Sequence, residues 1–87
     1  MNRLYTITRG PQVVKGLISP GELPNLMSDF DWLADYYGAE KEVHDNQLIA
    51  RKNETEISLT IGAYHKAIPG KRVLSALVQM MDESFKS

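Results

Sequence analysis

Cysteine is missing from all 87 residues. That absence excludes disulfides, thiolate nucleophiles and cysteine-ligated zinc, and it fits a reducing compartment, so the expected location is the cytoplasm. Long apolar runs are missing too. Nothing approaches the roughly 20 residues a bilayer-spanning helix needs, and the opening stretch from Met1 to Arg9 lacks the apolar core of a secretory signal. No membrane association is expected. Tryptophan occurs once, as Trp32, and histidine twice, as His44 and His65.

Catalytic motifs are equally scarce. There is no Gly-x-Ser-x-Gly, no His-Glu-x-x-His and no glycine-rich phosphate loop. His44 and Asp45 are neighbours at a proposed turn, where adjacent side chains diverge to opposite faces. Asp31 and Asp35 share a helix face, but carboxylates from one helix make an incomplete metal site. The expectation is a non-catalytic protein with no metal and no cofactor. Asn53-Glu54-Thr55 spells a glycosylation sequon and reads as a polar turn.

What is present describes one globular domain over residues 1–87. Hydrophobic residues make up 43% and charged residues 24%, which argues against global disorder. Residues 3–8 and 12–18 carry β-branched and aromatic side chains on either side of Gly10-Pro11 and predict a hairpin. Gly16 within the second strand marks a bulge or a close approach by another element. Ser19-Pro20-Gly21-Glu22 resembles a capping box. Pro24 inside a helix started there would remove a needed hydrogen bond, so 19–22 is read as a turn and the helix as starting at Pro24. It stops at Gly38, a left-handed cap. At about 100° per residue, Leu23, Leu26, Met27, Phe30, Leu33, Ala34 and Tyr37 form one core stripe.

Residues 41–44 and 47–52 flank the turn Asp45-Asn46. Residues 56–64 alternate, with Ile57, Leu59, Ile61 and Ala63 on one face and Ser58, Thr60, Gly62 and Tyr64 on the other. After Pro69-Gly70 a last helix runs over about 71–85. Its expected stripe is Val73, Leu74, Leu77, Val78, Met81 and Phe85, with Lys71, Arg72, Ser75, Gln79, Asp82 and Glu83 opposite. Two amphipathic helices need a common apolar surface, which a sheet with one apolar face supplies. The fold class expected is α+β: a two-layer sandwich, an antiparallel sheet with both helices on one face, in the order ββα-βββ-α.

The formal net charge of −1 conceals an uneven distribution. Between residues 22 and 45, Glu22, Asp29, Asp31, Asp35, Glu40, Glu42 and Asp45 oppose Lys41 alone. A field of that kind guides partner choice more than it guides folding. Trp32 and Tyr36 lie within it, one turn apart and off the core stripe. The leading expectation is a protein-binding module, an inhibitor, adaptor or regulatory subunit, that contacts a basic partner through Asp29, Asp31, Trp32, Asp35 and Tyr36. Burial of the two rings under the N-terminal hairpin or the stretch 63–70 is the competing placement, and a symmetric homodimer is a further one.

The second function class is nucleic-acid binding. Arg51, Lys52, Lys66, Lys71 and Arg72 supply its basic residues. From Pro24 to Phe85 the order helix, three strands, helix resembles, in topology alone, the double-stranded-RNA-binding domain, a likeness that implies an RNA partner. The overall charge of −1 and the acidic first helix argue the other way, because phosphate binding needs several uncompensated cations.

Overall fold

The periodicities above become seven elements. In the computed structural model, which describes residues 2–65 and 72–86 apart from the side chain of His65, strands β1 (Asn2–Arg9) and β2 (Gln12–Ile18) form the first hairpin. Helix α1 (Leu23–Tyr37) follows, then strands β3 (Glu40–His44), β4 (Gln47–Lys52) and β5 (Thr55–His65), and helix α2 (Val73–Phe85). The fold is α+β, a five-stranded antiparallel sheet in the order β2-β1-β5-β4-β3 with both helices packed on one face. No helix among the described residues is long and apolar enough to cross a membrane.

Local chemistry sets the boundaries. The turn before α1 closes through the Glu22 N–H donating to the Ser19 carbonyl at 3.0 Å, and the Ser19 N–H donates back to the Glu22 carboxylate at 3.2 Å. The turn reading and the capping-box resemblance therefore describe one structure. Pro24 sits in the first helical turn, where its missing N–H costs little. Gly38 ends the helix at φ 70°, in the left-handed region where a side chain would be strained, and its N–H turns back to Asp35 O.

The sheet presents one apolar face. Tyr5, Ile7, Ile18, Leu48, Ala50, Ile57, Leu59 and Ile61 are buried against Leu26, Phe30 and Leu33 of α1 and Val73, Leu77, Met81 and Phe85 of α2. In the ladder Val43–Leu48–Leu59–Ile7–Val14, direct partners stack across all five strands on this helix side. The opposite face carries Thr6, Ser58, Thr60 and Gln47, together with the ion pairs of Arg51 to Glu42 and Glu56.

The helices run parallel. Arg72 approaches Glu22 at 3.7 Å at their starts, and the Tyr37 hydroxyl donates to Asp82 at 3.0 Å near their ends. Their final turns converge on one cation. Lys52 Nζ donates to Tyr37 O at 2.7 Å and to Phe85 O at 3.0 Å, so a single ammonium serves the negative ends of both helix dipoles.

Three expectations need correction. Met27, assigned to the α1 stripe, is 50% exposed. In α2, Leu74 and Val78 are exposed while Ala76 and Met80 are buried. Apolar residues cover slightly more than half the circumference of that helix, so its own pattern leaves the rotation open. Val14 of β2 packs against the core and lines one crevice with Ala76 and Met80, so that side of α2 is the one turned to the sheet. Finally, Tyr64 does not stay on the polar face of β5. Tyr5 pairs with Ile61 but Arg3 pairs with Tyr64, so β5 carries one extra residue. The bulge reverses the alternation beyond it. Tyr64 thus joins Arg3, whose guanidinium lies 5.9 Å from the tyrosine ring centre.

Candidate protein-binding face

The outer surface of the helix layer is built from residues the sheet does not use. On α1 the buried positions Leu26, Phe30, Leu33 and Ala34 define the inward side. At 3.6 residues per turn, Asn25, Asp29, Trp32 and Tyr36 then follow one another along the edge nearest α2. The contacts agree: Asn25 and Asp29 share a groove with Leu74 and Ser75, and Tyr36 shares one with Asp82 and Phe85. On α2 the facing edge is Leu74, Val78 and Asp82.

Trp32 and Tyr36 are 64% and 70% exposed, so neither lies beneath the N-terminal hairpin. Their rings stack at 5.6 Å between centroids with 20° between planes, and Tyr37 meets Tyr36 edge-on at 5.0 Å. Leu74 and Val78 on the α2 edge are also exposed, at 41% and 39%. Sequence periodicity placed both in the core. The available signal was the apolar arc of α2, which is too wide for one buried stripe.

The carboxylates around the rings are not equivalent. Lys41, on β3, pairs with Asp31 and with Asp35, the latter at 3.0 Å. The hydrogen bonds to Asp31 and then to Asp35 hold the Lys41 ammonium above its ordinary pKa. Asp82 accepts from the Tyr37 phenol, whose pKa is raised by burial first and by this aspartate second. Asp29, beside the α2 edge, pairs with no cation among the described residues. The uncompensated negative charge is thus narrower than the run of seven acids suggests.

No family model, no curated protein and no solved structure matches this chain.

Among the described residues, the candidate basic residues Arg51, Lys52 and Arg72 do not assemble. Arg51 lies on the open sheet face between Glu42 and Glu56, at 3.0 and 2.7 Å. Lys52 points to the other face and is engaged by the helix ends. Arg72 stands at the start of α2, thirteen residues from its end, or about 20 Å away at 1.5 Å per residue. Lys66 and Lys71 lie outside the described residues. Among the described residues no group of three His, Asp or Glu side chains converges as a metal site, and His44 is exposed with Glu42 3.6 Å away.

Proposed function

We propose that this chain is a small protein-binding module, an inhibitor, adaptor or regulatory subunit without catalytic activity, that docks a partner on its helix layer. One observation carries the reading: the stacked Trp32–Tyr36 pair stands mostly exposed on the helix layer, where Leu74 and Val78 are exposed as well. Large aromatics are costly to leave in water and are enriched among residues that dominate binding energy. Stacking holds both rings in place beforehand, which lowers the ordering cost of association.

The partner surface that fits is apolar at its centre and basic at its rim. Asp29 is available to a partner cation, while Asp31 and Asp35 extend the negative potential but share Lys41. A symmetric homodimer through this face would bring two acidic α1 helices together, which favours a different protein over a second copy. The cysteine-free chain suits a cytoplasmic setting.

The test is the double substitution Trp32→Ala with Tyr36→Ala. The variant is expected to keep its circular dichroism and melting temperature and to lose the partners that the unaltered protein captures from a lysate of its source. Equal capture of the same partners by a folded double variant would sink the proposal.

A further inference from the structure

A five-stranded open sheet has two edges, and this chain treats them differently. At β3 the edge is five residues long, all exposed, with Glu40, Lys41, Glu42 and His44 among them. Such a short, charged edge discourages strand addition. At β2 the edge is seven residues long and carries one charge, Lys15.

The hairpin fixes which backbone groups of β2 are free. Its two-residue turn closes on the pair Arg9–Gln12, and the alternate pairs Ile7–Val14 and Tyr5–Gly16 then exchange N–H and C=O across the ladder. The N–H and C=O groups of Val13, Lys15 and Leu17 therefore point away from β1. None of the three bonds to another element among the described residues. Alongside them, between β2 and α2, runs a crevice of 290 Å³ floored by Val14, Ala76 and Met80 and rimmed by Gln12, Gln79 and Glu83, with Lys15 bordering it at the strand edge.

We infer that the β2 edge accepts an extended peptide from another protein as a sixth strand, and that the peptide carries an apolar–acidic–apolar core. The residue paired with Lys15 lies on the open sheet face beside an ammonium that makes no ion pair among the described residues. Its two neighbours point the other way, into the crevice over Val14, Ala76 and Met80. Main-chain bonds to Val13, Lys15 and Leu17 supply affinity, and the alternating side chains supply selectivity.

Charge selects a foreign strand over a second copy. Full-length antiparallel pairing of β2 with itself sets Lys15 opposite Lys15, with Cα atoms about 5.5 Å apart in a hydrogen-bonded pair. Like charges directly opposite are destabilising, whereas an aspartate or glutamate there is favourable. This site is separate from the helix-layer face and does not depend on it.

The experiment uses two labelled eight-residue peptides that alternate isoleucine and threonine, one with a central glutamate and one with a central lysine. Anisotropy titration is expected to show the glutamate peptide binding about tenfold tighter, a difference of about 1.4 kcal/mol. Lys15→Glu is expected to invert that order. Amide exchange at Val13, Lys15 and Leu17 is expected to slow when the glutamate peptide is bound. Equal affinities, no binding of either peptide, or binding without protection at those three amides would each overturn the inference. The Trp32→Ala, Tyr36→Ala variant is expected to bind the peptide as the unaltered protein does, which separates this site from the helix layer.

Discussion

Tyr5 lays its ring across the backbone of Gly16, so closely that a Cβ on residue 16 would stand 2.6 Å from the phenol oxygen and 2.7 Å from the ring carbons. The ring is fully buried, and burial, with the Glu22 charge second, raises its phenol pKa. Gly16 is glycine because the neighbouring strand β1 needs that space for an aromatic ring. Gly16→Ala is expected to destabilise the domain by about 1–3 kcal/mol, the usual cost of overpacking. A urea denaturation series comparing the two proteins reads this directly.

Lys52→Met keeps the aliphatic stem and removes the ammonium shared by Tyr37 and Phe85. Both carbonyl oxygens then lose a charged donor at a half-buried site. A loss of about 1–3 kcal/mol is expected. Amide exchange should show it first as faster opening of the last turns of both helices, a pairing that a defect in either helix alone would not produce.

The β4–β5 turn holds Asn53 at φ 51° and Glu54 at φ 69°. Two consecutive left-handed residues are what a type I′ hairpin requires, and glutamate is a poor choice for the second. Glu54→Gly is expected to raise stability by about 1 kcal/mol, since the left-handed conformation costs a side-chain-bearing residue roughly that much. A melting curve that falls instead would show that Glu54 is held by something other than turn geometry.

Trp32 is the single tryptophan, so its emission reports on one position. At 64% exposure it is expected to emit at the red end of the range and to be quenched readily by acrylamide and by iodide. A blue-shifted, quencher-resistant signal in the free protein would remove the helix-layer reading.

Two ion-pair networks give opposite pH signatures. Hydrogen bonding to Arg51 lowers the Glu42 pKa, so this contribution is present above the unfolded value, about 4.3, and fades as pH falls through the folded one. Lys41 behaves inversely. Its raised pKa makes the bridge to Asp31 and Asp35 a contribution present below the unfolded lysine value and lost as pH rises through the folded one. Both sites are solvent-exposed, so the increments are small. Glu42→Gln is expected to make the acid limb of a stability–pH curve slightly shallower and to leave the alkaline limb unchanged.

The order ββα-βββ-α and nearly every boundary are legible in the residues, because strand alternation, helix periodicity and turn chemistry are local properties of the backbone. Gly38 and the Gly10-Pro11 turn state where elements end before anything packs. Trp32 and Tyr36 could also be placed off the α1 stripe by counting. Their exposure could not be read that way, because a small domain has equal use for such rings inside and outside its core.

Tertiary structure decided the rest, and each case turns on a neighbour distant in sequence. Leu74 and Val78 are outside because Ala76 and Met80 are on the side turned to the sheet, leaving one end of a wide apolar arc uncovered. Tyr64 changed faces because a bulge opposite Leu4 broke the alternation that residues 56–64 display by themselves. Asp31 and Asp35 lost part of their charge to Lys41 of β3, and Arg51 and Lys52 were directed to opposite faces of one strand. Periodicity specifies which residues share a side of an element. Only the packing of one element on another specifies which side is covered, and that choice left Trp32, Tyr36, Leu74 and Val78 together in water.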